Sequence, residues 1–140
     1  MATMDQLYQS VIIEHDRSPR NFRTIDAPTH HAEGRNPLCG DEVSLEFVVG
    51  EDGVITDAAF QGRGCAVSKA SASMLTTAVK GKTLAEARTI AAEFQSLVTG
   101  KDADENTLGK LKVFGGLAAY PMRVKCATMP WHAMNEALKR

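Results

Sequence analysis

The chain has 140 residues, 44% hydrophobic and 24% charged, which suits one domain spanning 1–140 around one core. Sixteen Lys and Arg face 17 Asp and Glu, and the net charge of −1 gives no reason to expect nucleic acid or an anionic membrane as partner. There is no apolar run of the roughly 20 residues that span a bilayer, no leader in the polar first ten residues, and an odd set of three cysteines, which together point to a cytoplasmic protein whose thiols serve chemistry or metal.

In chain order, Tyr8, Val11, Ile12 and His15 follow helical spacing, and the helix is expected to stop before Arg17-Ser18-Pro19-Arg20-Asn21. Residues 22–36 are polar and mixed, and read as extended or loop structure. Val43, Leu45, Phe47 and Val49 alternate with polar residues, the mark of a half-buried strand. Gly50 to Gly53 is a turn, and Val54 to Phe60 is the returning strand of an antiparallel hairpin. Gly62-Arg63-Gly64-Cys65 is expected to break that strand. A helix follows over Ala66–Lys80 and stops at Gly81. Thr83 with Glu86 forms a capping box for a helix running to about Val98 and ending at Gly100. Residues 101–107 read as a surface loop. Leu108, Leu111 and Phe114 mark a short helix before Gly115-Gly116. Pro121 starts the last segment, Trp131 to Leu138 closes it as a helix, and Pro130 argues against an uninterrupted helix through Cys126. The order of elements is that of an α+β domain with helices packed on a small antiparallel sheet of about three strands.

Asn36-Pro37-Leu38-Cys39-Gly40-Asp41 places a thiol and a carboxylate two positions apart on a turn framed by Pro and Gly. The other cysteines are Cys65 and Cys126. Three cysteines and an aspartate suit tetrahedral zinc, but no Cys-x-x-Cys pair occurs, so the fold has to assemble any such site. Spacing leaves open whether the thiols share a site or are separately buried small hydrophobes. Local context favours a site. Cys65 opens a helix, where the macrodipole favours a thiolate. Arg63, Lys125 and Arg123 stand beside the cysteines, where they can offset the two negative charges left when three thiolates and a carboxylate surround Zn2+. The histidines His15, His30, His31 and His132 read as core, capping or surface residues rather than ligands. The run Ser68 to Ser73 reads as small residues for close helix packing.

These motifs, together with Gly62-Arg63-Gly64-Cys65-Ala66-Val67-Ser68, Lys125-Cys126-Ala127-Thr128 with Trp131, and Pro19-Arg20-Asn21, resemble the iron–sulfur scaffold family of IscU, SufU and the NifU N-terminal domain. The likeness runs from about Tyr8 to Leu138 and implies the SufE/NifU-like fold. Within the family the chain is similar to the SufU branch, because Lys125 stands where the IscU branch carries a histidine and because the segment between Gly100 and Pro121 is long. That resemblance implies a zinc-dependent sulfurtransferase acting with a SufS-type cysteine desulfurase and downstream Suf assembly proteins. It implies Zn2+ on Cys39, Asp41, Cys65 and Cys126, with Cys39 as sulfur acceptor and Arg123 working with the desulfurase. A histidine of the desulfurase is expected to take the place of Cys39 on zinc. The alternative within the family is a scaffold that carries a transient [2Fe–2S] cluster on the same residues.

Overall fold

The computed structural model describes residues 4–37 and 40–139, with the backbone alone for 4–9. Helix α1 (Met4–Arg17) leads into three strands, β1 (His30–Asn36), β2 (Asp41–Val49) and β3 (Ile55–Arg63). These form an antiparallel sheet in the order β1-β2-β3. Helices α2 (Ala66–Val79) and α3 (Leu84–Val98), the single turn α4 (Glu105–Leu108), a 3-10 segment (Gly109–Ala119) and α5 (Pro121–Ala137) follow. The architecture is α+β, as expected.

The strand pattern decides where the helices go. In β2 the residues Asp41, Val43, Leu45 and Phe47 are buried and their neighbours are not. Period two therefore puts Asp41 on the same face as the apolar side chains. Helices α2 and α5 cover that face. Helix α2 is the middle layer, and Ala70 to Thr76 are all buried because small side chains let its neighbours approach. Its hydroxyls are used as fasteners. Ser71 donates to the carbonyl of Ala127 and accepts from the Trp131 indole. Phe94 of α3 stacks on Trp131 and meets Phe114 edge-on, tying α3 and the 3-10 segment to α5. The capping box at Thr83 and Glu86 is present.

Three expectations change, and one is made specific. Strand β1 lies within the stretch read as extended or loop. Its inward positions are His30, Ala32, Gly34 and Asn36, which carry almost no apolar pattern. The reason is close packing: a Cβ at Gly34 would lie 3.2 Å from Met129 of α5. Strand β3 continues through Gly62 and Arg63, since Gly62 pairs with Val43 and its missing side chain lets the backbones meet. Residues 101–107 end in a helical turn, started by Asp104 accepting from the Asn106 amide. Helix α5 runs unbroken through Pro130, which is buried. Tertiary packing outweighs the local cost of a proline, and Ser71 supplies a hydrogen bond to the ladder beside it.

Helix α1 is pinned to α2 by polar groups. Ser73 Oγ lies 2.7 Å from His15 Nδ1 and accepts from the Arg20 amide. The assignment that uses Ser73's one proton sends it to Nδ1, which only a neutral imidazole can accept. Burial pushes His15 below its ordinary value of 6.5, reinforced by Arg20 and Lys110 and opposed by Glu14. The unfolded chain then takes up the proton first. The stability this pin contributes is full above pH 6.5 and is lost as the pH falls below it. Urea denaturation across pH 7 to about 5 should show wild type weakening more steeply than His15→Gln. Equal slopes would remove His15 from the account.

Candidate metal centre

Three elements deliver donors to one place. Strand β2 brings Asp41 inward at its first residue, cross-strand from Asn36 of β1. The turn after β3 delivers Cys65 at the start of α2. Helix α5 delivers Cys126, which is fully buried. One donor atom from each of Asp41, Cys65 and Cys126 lies within 4.8 Å of the others. Among the described residues this is the one such cluster. Cys39, the fourth expected member, lies outside the described residues, two positions before Asp41 in sequence.

Each donor has a polar neighbour. Asp41 Oδ1 accepts from the Cys65 amide at 2.8 Å, and Asp41 Oδ2 lies 3.7 Å from Cys65 Sγ. Ser68 Oγ donates to the Cys65 carbonyl at 3.0 Å and accepts the weak contact of Cys65 Sγ at 3.8 Å. The Asn36 side-chain amide approaches Cys126 Sγ at 3.9 Å. Asp41 is 1% exposed, so its carboxylate is kept from water by the same groups that surround it. Two sulfurs and one carboxylate oxygen are a zinc-type donor set, soft enough to disfavour magnesium or calcium. Tetrahedral zinc separates its donors by about 3.3 to 3.8 Å, so the cluster needs only side-chain adjustment to close on an ion.

The basic residues stand outside this cluster. Arg63 is exposed and pairs with Glu42 at 3.3 Å, and Arg35 reaches the same carboxylate at 3.8 Å. Arg123 and Lys125 are exposed on the first turns of α5. Lys125 and Asn36 both line a groove of about 400 Å³ between β1 and α5. The four histidines are outside the donor cluster, and His15 is the core group described above.

Asn36 and Ser68 stood in the sequence motifs, but their contacts to the cysteines and the bond from Asp41 to the Cys65 amide are features that sequence reasoning did not anticipate. One signal was available for the last of them. Gly64-Cys65 offers no capping side chain of its own, so the start of α2 needs an acceptor from elsewhere.

Residues 7–127 match the family model of the NifU-like N terminal domain. The chain is 36% identical over 140 residues to the zinc-dependent sulfurtransferase SufU of Bacillus subtilis (strain 168), covering 99% of this chain and 94% of that protein. It is 38% identical over 141 residues to the iron–sulfur cluster assembly scaffold protein IscU of Streptococcus pyogenes serotype M1, covering 100% of this chain and 87% of that one. Its fold is similar to the crystal structure of a putative iron–sulfur cluster assembly scaffold protein for the SUF system from Fervidobacterium islandicum AW-1. The TM-score is 0.88 at 36% identity, with 92% of this chain and 94% of the other covered.

Proposed function

The chain belongs to the family of NifU-like N-terminal domains that includes IscU and SufU, and from that premise we propose that it is a zinc-dependent sulfurtransferase. In this reading it takes persulfide sulfur from a cysteine desulfurase and passes it on for iron–sulfur cluster assembly. The observation that carries the reading is the convergence of Asp41, Cys65 and Cys126, with Cys39 two positions before Asp41 in sequence. Near-full-length similarity to a protein named as a zinc-dependent sulfurtransferase supports it.

The roles follow from position. Cys65, at the cap of α2, and Cys126, within α5, serve as fixed anchors. Asp41 supplies a single oxygen, since its other oxygen is held by the Cys65 amide. Zinc, when bound, supplies positive charge that keeps thiol ligands deprotonated. Cys39, on the β1–β2 connection, is the acceptor. Its thiolate attacks the outer sulfur of the desulfurase persulfide. A new S–S bond forms on Cys39, the donor's S–S bond breaks, and the donor cysteine leaves as thiolate. In this reading Arg123, exposed three residues before Cys126, meets acidic groups of that partner. No helix among the described residues is long and apolar enough to cross a membrane.

A second reading is a scaffold that carries a [2Fe–2S] cluster on the same residues, and the similarity to the streptococcal IscU favours it. The two part on metal content and transfer. Freshly purified protein with one zinc per chain, colourless, and taking labelled sulfur from a desulfurase supports the sulfurtransferase. Brown, iron-loaded protein that takes no sulfur supports the scaffold.

A further inference from the structure

Gly62 and Gly64 flank Arg63, yet their missing side chains do different things. A Cβ at Gly62 would strike the carbonyl of Glu42 at 2.2 Å, so that glycine serves the β2–β3 pairing. A Cβ at Gly64 would instead lie 2.2 Å from Asp41 Oδ1, 2.8 Å from its Cγ and 2.9 Å from Ser68 Oγ. Separations this short do not occur, so something has to move. The short Asp41 side chain is buried and rises from a strand residue paired with Asn36, so the atoms that have to yield are those that bond the Cys65 amide and face its sulfur. Gly64 also sits at φ +149, a backbone region that disfavours side chains.

The consequence lies in how Asp41 divides its two oxygens. Oδ1 takes the amide of Cys65, at the start of a helix whose own cap residue makes no side-chain capping bond. Oδ2 faces the sulfur of Cys65. Helix α2 and the donor cluster thus share one carboxylate. We propose that Gly64 is a positioning residue of the metal centre: having no side chain, it lets Asp41 hold the Cys65 amide with one oxygen and present the other to the ion. The inference rests on the metal centre proposed above and adds Gly64 as the residue that lets Asp41 divide its oxygens.

The test separates the amide from the ion. In metal-free protein, hydrogen exchange at the Cys65 amide reads the Oδ1 bond by NMR. Zinc affinity, by competition with a chromophoric chelator, and the cobalt-substituted spectrum read the ligand set. Wild type should show a protected Cys65 amide. Gly64→Ala should exchange it at least about tenfold faster and bind zinc about 10- to 100-fold more weakly, the range seen when a ligand loses its orienting partner. Its cobalt form should keep sulfur-to-cobalt charge transfer while the d–d bands change. Asp41→Asn should keep the amide protected, because its side-chain oxygen still accepts, yet lose zinc affinity. Asp41→Ala should lose both. Wild-type amide protection and wild-type zinc affinity in Gly64→Ala overturn the proposal. If Gly64→Ala is unfolded by circular dichroism, the aspartate pair decides. Asp41→Asn losing amide protection like Asp41→Ala overturns the division of oxygens, and keeping it supports the division. A wild type with a protected amide but no zinc binding removes the metal centre itself, and the ligand half of the inference with it.

Discussion

Cys39→Ser is expected to fold, to keep the other three donors, and to take up no sulfur from a cysteine desulfurase. Serine preserves shape but replaces a thiol that ionises readily with an alcohol that does not, and the thiolate is the attacking species. Removing a nucleophile outright costs several orders of magnitude in other enzymes, so a loss of at least about a thousandfold is expected here. The fold should survive because the pairings that flank position 39 are made by other residues. Asn36 and Asp41 stay paired across β1 and β2, and Asp41 stays bonded to the Cys65 amide. Circular dichroism and a labelled-sulfur transfer assay on the same preparation check both halves. A folded Cys39→Ser that still accepts sulfur at the wild-type rate would sink the assignment.

Stripping zinc should lower the melting temperature by about 10 °C or more. The donors sit where the end of the sheet meets the start of α2 and the body of α5. An ion held by Asp41, Cys65 and Cys126 therefore joins three elements that are far apart in sequence. A ligand that binds only the folded chain stabilises it by roughly 4 kcal/mol when present at a thousand times its dissociation constant. For a chain of this size that corresponds to a shift of about 10 to 15 °C. Metal binding energy appears as folding energy here because the unfolded chain has no preformed site. Calorimetry with and without chelator measures the shift. Cys126→Ala should melt near the chelated wild type and gain nothing from added zinc. A wild type whose melting temperature ignores chelation would show that the cluster holds no structural ion.

Much of this fold was legible because its patterns are local. The alternation of Val43, Leu45 and Phe47 gave β2, and the Thr83–Glu86 box gave the start of α3. Strand β1 was legible only as extended or loop structure, because the residues it turns inward are small or polar to fit α5. The same local reading counted Pro130 against a helix that long-range packing keeps intact. At the site, residue types pointed to Asp41, Cys65 and Cys126. Their meeting depends on three-dimensional facts: the period of β2 that turns Asp41 inward, and the approach of α5 to α2. Ser68 read as packing filler and is a neighbour of Cys65 as well. The bond from Asp41 to the Cys65 amide, and the glycine that permits it, needed coordinates.

The most direct measurement maps where the sulfur goes. Zinc-loaded wild type is mixed with a cysteine desulfurase and free cysteine, alkylated, digested and read by mass spectrometry at each cysteine peptide, with zinc content measured in parallel. One added sulfur on the Cys39 peptide, with Cys65 and Cys126 unmodified and zinc retained, is the predicted result. Added sulfur on Cys65 or Cys126, or on none of the three in a zinc-replete sample with an active desulfurase, would contradict it.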